Sequence, residues 1–309
     1  MRAPARRFTQ FNRMSLSTWL LAGPTAVGKS EIAVALAERI GGEIVGADAF
    51  QIYRGLDLLT AKPSPELVAR VPHHLIDEIP PTHSFDVSQY LGLAQSRMAE
   101  IRARGKIPIV CGGTGLYFRA LTHGLADLPR PDFALRSQLE AKPLPELRAQ
   151  LAALDPVGAA SIDSQNPRRL IRALEVCLLA GRPFSSFRKE WAAPANQTLG
   201  CILLLRAREE LYSRINERVV AMFSAGVVDE VAASSEMGPT ASQALGLREI
   251  RDFLSGRISR DECIAAIQQS TRRYAKRQLT WFRKEPTYRH VDAAAPDALE
   301  RILSSHTDA

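Results

Sequence analysis

The sequence has few cysteines and no long apolar run. Its four cysteines stand at positions 111, 177, 201 and 263, and no two of them form a C-x-x-C pair. This spacing argues against a zinc site, and single thiols of this kind are typical of a reducing compartment rather than of a disulfide-bonded secreted protein. No apolar run approaches the ~20 residues that cross a membrane. We therefore expect a cytoplasmic protein with no membrane segment.

Internal repeats, low-complexity segments and an excess of acid are also missing. Of the 309 residues, 46% are hydrophobic and 24% are charged, which is the balance of an ordinary globular chain. Lys and Arg outnumber Asp and Glu by 40 to 33. The net charge of +7 is compatible with a polyanionic partner, although many proteins are basic without one. The charge becomes informative only where it is clustered.

Residues 1–17 contain four arginines and no acidic side chain. A segment of this composition loosely resembles an organelle transit peptide, but its apolar face is poor. We interpret residues 1–17 as a disordered extension, and a translation start at Met14 is an alternative.

Residues 23–30, GPTAVGKS, carry the most informative motif, because they match G-x-x-x-x-G-K-[ST] at every fixed position. A strand-like segment precedes them and a helical pattern follows, which is the context that a P-loop requires. Backbone N–H groups, the helix N-terminus and Lys29 would capture a di- or triphosphate, and the Ser30 hydroxyl is available to a magnesium ion. The motif alone does not separate ATP or GTP from another diphosphate. The expected phosphate-binding residues are Gly23, Thr25, Ala26, Val27, Gly28, Lys29 and Ser30.

Short apolar segments alternate with helical patterns in the first half of the chain, which predicts a parallel sheet covered by helices on both faces. The predicted strands are 18–23, 43–47, 107–111 and, later, 202–205; the predicted helices are 29–40, 87–104, 115–122, 207–225, 242–255 and 260–284. Ligands of such sheets bind beyond the carboxyl ends of the strands. We therefore expect the loops at 23–30, 46–53 and 112–115 to meet at one crevice.

The predicted fold class is α/β, a P-loop NTPase-like parallel sheet with a helical insertion domain. Prolines punctuate residues 126–199 and no good strand pattern occurs there, so we assign this segment to the insertion. Residues 18–125 and 200–292 would then form the catalytic core, and residues 293–309 a flexible tail.

Two loops after predicted strands carry polar groups that can do chemistry. Asp48 follows the second strand, where its carboxylate could bind magnesium, act as a general base or simply cap a helix. Gly112, Gly113 and Thr114 follow the third strand, where glycines permit either close approach of a ligand or a tight turn. The pair of histidines at 73–74 lacks a third ligand at a suitable spacing, so we interpret it as structural.

Basic residues are clustered in two helical segments. Residues 165–172 contain three arginines, and residues 272–284 contain six basic side chains, interleaved with aromatics and free of acid. This pattern suits a nucleic-acid backbone with stacked bases. A solvated helix face above an aromatic core stripe explains either cluster equally well on its own.

Taken in order, these motifs resemble the tRNA dimethylallyltransferase family, also called tRNA isopentenyltransferases, over roughly residues 18–285. The matching segments are 23–30, 48–55 with 59–63, 72–77, 112–117, 165–176 and 274–283. The resemblance implies transfer of a dimethylallyl group from its diphosphate to the N6 amine of the adenosine that lies 3′ of the anticodon in tRNA. It also implies that the P-loop holds dimethylallyl diphosphate with Mg²⁺ and that the protein is a monomer.

The resemblance assigns roles to individual side chains. Asp48 would be the general base, Thr114 and Arg218 would steady the diphosphate or the reacting base, and Ser30 would hold the metal. The residues expected to contact tRNA are Asp48, Ala49, Phe50, Gln51, Arg136, Gln165, Asn166, Pro167, Arg168, Arg169, Arg273, Lys276 and Arg277. Gly46 and Ala49 stand where the family commonly has serines, and Leu247 stands where an aromatic is usual. The first two departures bear on the rate and on how the base is positioned.

Three other functions compete with this interpretation. A small-molecule kinase would use the same P-loop for ATP but would not need two basic, aromatic-flanked helices. A prenyltransferase of free adenine nucleotides should lack the surfaces at 165–172 and 272–284. An RNA-binding NTPase switch would need a strand ending in an acid beside the P-loop, whereas the strand at 107–111 ends in Gly112.

Overall fold

A computed structural model of the protein describes residues 18–187, 199–234 and 236–304. It divides into two compact units, the first comprising 18–119 with 199–304 and the second 120–187 of the described residues. The boundary thus falls between Arg119 and Ala120, earlier than the predicted one at 126. The predicted extension at 1–17 lies outside the described residues.

The first unit alternates strands and helices. Its elements are β1 (Thr18–Ala22), α1 (Lys29–Ile40), β2 (Gly42–Ala47), α2 (Pro65–Arg70), β3 (His73–His74), α3 (Val87–Ala103), β4 (Ile107–Gly112), α4 (Gly115–His123, which runs on past the boundary), then, after the second unit, β5 (Leu199–Leu205), α9 (Arg208–Ser224), α10 (Val227–Ala233), α11 (Leu247–Leu254), α12 (Arg260–Phe282), β6 (Arg289–Asp292) and α13 (Ala298–Ser304). None of the helices in the described part of the chain is long and apolar enough to cross a membrane.

The six strands form one parallel sheet in the order β3-β2-β4-β1-β5-β6. Gly112 at the end of β4 is level with Ala22 on one side and with Ala47 on the other, so β1, β2 and β4 end at the same edge. A Cβ at Gly112 would lie only 2.1 Å from the Ala47 carbonyl oxygen, so this register admits glycine alone. The parallel sheet and the common exit of its loops are confirmed.

Most residues of β1, β2, β4 and β5 are buried because helices cover the sheet, and the sequences of these strands are mainly apolar for that reason. Leu21, Ile109 and Leu204 of the sheet share one core with Val34 and Leu36 of α1. Glycines with left-handed backbone set the limits of α1: Gly28 precedes it with φ 101°, and Gly41 ends it with φ 71°.

The prediction of a flexible tail at 293–309 is wrong for residues 293–304. β6 pairs with β5 at the edge of the sheet, and α13 follows it. Ile302 is fully buried and packs, with Ala298, into the same core as α1. The apolar residues at 299, 302 and 303 have the i, i+3, i+4 spacing of a helix face that needs such burial. Residues 305–309 lie outside the described part of the chain.

One helical prediction needs adjustment, and one helix was missed. The predicted helix at 242–255 is a short 3-10 turn at Ala241–Gln243 followed by α11, because Gly246 adopts φ 91° between them. The helix α10 is not among the predicted elements. The last long helix, α12, is confirmed, and it begins with a capping box between Ser259 and Glu262.

The second unit is helical, as predicted, and residues 120–187 contain no strand. Its remaining helices are α5 (Phe133–Glu140), α6 (Leu144–Leu154), α7 (Pro156–Ser161) and α8 (Pro167–Ala180). Leucines of α5, α6 and α8 form its core, among them Leu139, Leu151 and Leu174. The carboxylate of Glu175, which is fully buried, is paired with two arginines, as a buried charge requires.

Candidate active site

The loops that follow β1, β2 and β4 line one pocket at the carboxyl edge of the sheet. Its walls include Lys29 and Ser30 from the P-loop, Gly46 and Asp48 from the end of β2, and Cys111 and Gly112 from the end of β4. The predicted meeting of the loops at one crevice is therefore confirmed. The pocket places a carboxylate beside the ammonium of a phosphate-binding motif.

The P-loop is curled so that it can enclose an anion. Ala26 and Gly28 both have positive φ, at 65° and 101°, a backbone conformation that occurs in anion-binding loops. The Lys29 Nζ donates to the Pro24 carbonyl at 2.8 Å, which leaves two of its three protons for a ligand. Burial lowers the pKa of Lys29, and the nearby Asp48 carboxylate opposes that shift.

Three arginines donate hydrogen bonds to the P-loop. The Arg218 Nη2 donates to the Thr25 hydroxyl at 2.5 Å, the Arg214 Nε to the Ala26 carbonyl at 2.9 Å, and the Arg206 Nε to the Val27 carbonyl at 3.3 Å. They therefore bring positive charge to three successive residues of the loop.

Of these arginines, only Arg218 is among the site residues predicted from the sequence, and that prediction came from the resemblance to the family. Arg214 and Arg218 stand four residues apart on α9, so they share a helix face. This spacing of four residues is the sequence feature that could have indicated Arg214 as a second site residue. Arg206 directly follows β5 and belongs to no recognised sequence motif.

Asp48 directly follows β2 and is half-buried. Its Oδ1 accepts a hydrogen bond from the Phe50 N–H at 2.9 Å, so the side chain caps a turn and not a helix, which removes the helix-cap alternative. Burial raises the pKa of this carboxyl, while the Phe50 hydrogen bond and the charges of Lys29 and Arg218 partly offset the rise. A carboxylate with a raised pKa is a stronger base, so this position suits proton abstraction.

Thr114 joins the loop after β4 to the loop after β2. Its Oγ1 accepts a hydrogen bond from the Ala49 N–H at 3.1 Å, and its own N–H donates to the Ala47 carbonyl at 3.1 Å. The Thr114 side chain is also hydrogen-bonded to the Tyr274 hydroxyl of α12. Ala49 takes part through its backbone, so this link does not require the serine hydroxyl that is usual at position 49.

The helix α12 packs directly against the loop at 112–115. A Cβ at Gly113 would lie 2.1 Å from the Gln278 Nε2, and one at Gly115 would lie 2.3 Å from the Trp281 ring. Both glycines are therefore required for close approach of α12. Gln278 and Trp281 were not among the predicted site residues, because nothing local in the sequence indicates what they pack against.

The predicted tRNA-contacting residues of the first unit fall into two groups. Gln51 lines the pocket, and its Nε2 donates to the carbonyls of Thr60 and Ala61 at 3.2 and 2.9 Å. Ala49 and Phe50 lie in the turn after β2. On α12, by contrast, the basic side chains predicted to contact tRNA form an exposed face. These residues are Arg273, Lys276 and Arg277.

The predicted tRNA-contacting residues of the second unit surround the start of α8. Asn166 caps this helix by accepting from the Arg169 N–H at 3.3 Å, and Pro167 occupies its first turn. Gln165, Arg168 and Arg169 are exposed. Arg136 differs from them, because its guanidinium is paired with the buried Glu175 carboxylate at 2.7 Å.

The histidines have structural partners. The His73 Nδ1 is bonded to the Val71 carbonyl at 2.7 Å, and the His74 Nε2 lies 2.8 Å from the Glu43 carboxylate. Within 18–187, 199–234 and 236–304, no three His, Cys, Asp or Glu side chains are grouped as metal ligands. The four cysteines are free thiols, and burial raises the pKa of Cys111 on the pocket wall to about 11.

This combination of fold and site defines a class. A parallel sheet in which a P-loop after β1 and a carboxylate after β2 line one pocket is typical of α/β enzymes that act on phosphorylated substrates.

Comparison with known proteins identifies the family. The family model described as IPP transferase matches residues 51–285, and the one described as isopentenyl transferase matches residues 16–78. The chain belongs to this family, that of the tRNA dimethylallyltransferases. It is 46% identical over 286 residues to the tRNA dimethylallyltransferase of Geobacter sulfurreducens, covering 89% of this chain and 92% of that relative. The corresponding protein of Akkermansia muciniphila is 43% identical over 290 residues, covering 93% and 98%.

Solved structures support the same fold. A tRNA isopentenylpyrophosphate transferase from Bacillus halodurans is 38% identical with a TM-score of 0.67, over 94% of this chain and 95% of that one. A eukaryotic dimethylallyltransferase, described as acting on tRNA, has a TM-score of 0.79 at 24% identity, over 95% and 78%. At that identity the second comparison bears on the fold alone.

Proposed function

We infer that this protein is a tRNA dimethylallyltransferase. In our proposal it transfers the dimethylallyl group of dimethylallyl diphosphate to the N6 amine of the adenosine 3′ of the anticodon. The observation that carries the proposal is the shared pocket of Lys29, Ser30 and Asp48, because it pairs a diphosphate cradle with a base. Membership of the family supplies the class of reaction.

The P-loop side of the pocket stabilises the leaving group. Negative charge grows on the diphosphate as its bond to the allylic carbon breaks, and preorganised donors lower the barrier most where charge develops. The Lys29 ammonium and the loop amides meet that charge directly. Arg218 adds a buried guanidinium next to Thr25, at the entrance of the same loop.

Asp48 accepts the proton of the nucleophile. The exocyclic amine of adenine is a weak nucleophile because its lone pair is delocalised into the ring, so proton removal has to accompany formation of the carbon–nitrogen bond. The adenine must leave its base stack in the tRNA to reach a pocket of this kind. Thr114 lies beside Asp48 through the Ala49 amide.

The donor set of the pocket fits a magnesium ion. The Ser30 hydroxyl and the Asp48 carboxylate are hard oxygen ligands, and Mg²⁺ typically takes one or two protein oxygens together with substrate phosphates. We propose that Ser30 holds the ion. When bound, Mg²⁺ would neutralise part of the diphosphate charge.

Exposed basic surfaces favour tRNA over a small acceptor. The α12 face and the start of α8 present Arg273, Lys276, Arg277, Arg168 and Arg169 to solvent, and a kinase or a free-nucleotide prenyltransferase needs neither surface. We propose that both surfaces contact tRNA, and that the protein works as a monomer in the cytoplasm.

A transfer assay tests the proposal. The full chain is incubated with radiolabelled dimethylallyl diphosphate, Mg²⁺ and unmodified bulk tRNA, with AMP and ATP as parallel acceptors, and the tRNA is digested to nucleosides. We expect label in an N6-prenylated adenosine from tRNA alone. Label in AMP or ATP would contradict the assignment of tRNA as acceptor, and no label in any acceptor would contradict the transfer reaction.

A further inference from the structure

Gln278 of α12 connects two of the three loops that form the pocket. Its side chain is buried, with 5% of its surface exposed. The Oε1 accepts a hydrogen bond from the Thr25 N–H of the P-loop at 2.9 Å, and the Nε2 donates to the Gly113 carbonyl, in the loop after β4, at 2.9 Å. One primary amide therefore joins loops that are far apart in the sequence.

The chemistry of the two partners requires a glutamine. Thr25 offers a backbone donor and Gly113 a backbone acceptor, so the side chain between them must accept with one atom and donate with the other. A side-chain amide does both, whereas a carboxylate only accepts. The same polarity fixes which way the amide points. Glycine at 113 leaves the space, since a Cβ there would lie 2.1 Å from the Gln278 Nε2.

Each partner leads to groups on opposite sides of the reaction. The Thr25 hydroxyl accepts a hydrogen bond from the Arg218 guanidinium, on the side of the leaving diphosphate. Gly113 precedes Thr114. The Thr114 hydroxyl accepts a hydrogen bond from the N–H of Ala49, the residue after Asp48, on the side of the attacking amine. The Gln278 amide is thus the shared support of both groups.

We propose that Gln278 is a positioning residue that sets the distance between the P-loop, which binds the diphosphate, and Asp48, the general base. The inference rests on the proposed function, because it takes the roles of Arg218, Thr114 and Asp48 from it. Transfer needs the amine, the allylic carbon and the leaving group in line. A misplacement of about 1 Å at such a site costs about 10²-fold in rate.

Two substitutions separate positioning from simple packing. Gln278→Met keeps the length and shape and removes both hydrogen bonds, so kcat should fall by about 10²-fold at every pH. Gln278→Glu keeps the acceptor for Thr25 but can donate to Gly113 only while its carboxyl is protonated. Relative to wild type, the kcat of Gln278→Glu should therefore fall as pH rises, through an ionisation that neither the wild type nor Gln278→Met shows.

The control is Gln268→Met. Gln268 lies on the same helix and donates through its Nε2 to the Asn216 carbonyl at 3.2 Å, away from the pocket. This substitution also removes a hydrogen bond from a glutamine amide of α12 to a backbone carbonyl, and kcat should keep its wild-type value. Binding of tRNA, measured by filter retention, should be unchanged in all three variants, because the exposed face of α12 is untouched.

The outcomes separate this proposal from the proposed function. A wild-type chain that transfers no label contradicts the proposed function itself. An active wild type together with wild-type kcat in Gln278→Met overturns the positioning role. If Gln278→Met does not fold, by circular dichroism, then Gln278→Glu decides: a pH profile equal to that of wild type overturns the proposal, and the extra ionisation supports it.

Discussion

Burial and charge act in opposite directions on the side chain of Asp48. Removal from water favours its neutral form, whereas Lys29, Arg218 and the Phe50 amide favour the carboxylate, and burial prevails. The carboxyl is therefore a stronger base than an exposed aspartate and costs the fold some stability when it is ionised. The two consequences can be measured in one variant.

Asp48→Asn should abolish most of the transfer activity. The amide keeps the size of the side chain and an oxygen for the Phe50 N–H but cannot take up a proton, so we expect kcat to fall by about 10²- to 10⁴-fold. Binding of tRNA should persist, because the base acts mainly in the transition state. Asp261→Asn, at an exposed position in the first turn of α12, is the control. Near-normal turnover in Asp48→Asn would remove Asp48 from the role of general base.

The same variant should be more stable than wild type at neutral pH. The pKa of Asp48 is raised in the folded state above its ordinary value of 3.8, so the native state binds more protons than the unfolded state between those two pKa values. Stability then falls as pH rises through that window and stays reduced above it. Thermal melts of Asp48→Asn and wild type should differ at pH 7 and converge toward pH 3. A constant difference at all pH values would contradict this linkage.

At the scale of single elements, α12 combines two surfaces. Its outer face presents basic side chains to solvent, and its inner face places Gln278 and Trp281 against the pocket loops. The sequence showed the outer face as a charge cluster and left open whether it was simply a solvated helix face. Measured salt dependence decides between the two.

Replacing Arg273 and Arg277 together with Ala should weaken tRNA binding and flatten its salt dependence. Each contact with a phosphate contributes about 0.7 to 0.9 to the slope of log K against log salt, so the pair should reduce the slope by about 1.5. Arg301→Ala, on the exposed side of α13, is the control. Filter binding at several salt concentrations gives the slope, and an unchanged slope would make the two arginines part of an ordinary solvated surface.

At the scale of the whole molecule, the last described helix belongs to the core. Ile302 of α13 is fully buried in the cluster that also contains Val34 of α1. Ile302→Ala should lower the free energy of unfolding by about 2–5 kcal/mol, as large-to-small changes in a core do. Urea unfolding measures the change, with Leu254→Ala as the exposed control. A wild-type midpoint for Ile302→Ala would mean that α13 adds nothing to the fold.

The sequence predicted what local patterns determine. The P-loop, the buried strands and Asp48 each follow from a few consecutive residues, and the sheet follows from their alternation. β6 was missed because only Val291 of its four residues is buried, which leaves no pattern to detect. The Gln278 amide could not be predicted for another reason. Its partner Thr25 is 253 positions away, and only the packed fold brings the two together.

Three glycines between the end of β4 and the start of α4 have no functional group, yet the site depends on them. Gly112 faces the Ala47 carbonyl, Gly113 the Gln278 amide and Gly115 the Trp281 ring, each with less room than one methyl group needs. A mutational scan of the whole chain would therefore score these positions as severely as Asp48. Intolerance to substitution there reports steric exclusion rather than chemistry, and a map of the site drawn from lost activity alone would be larger than the set of groups that react.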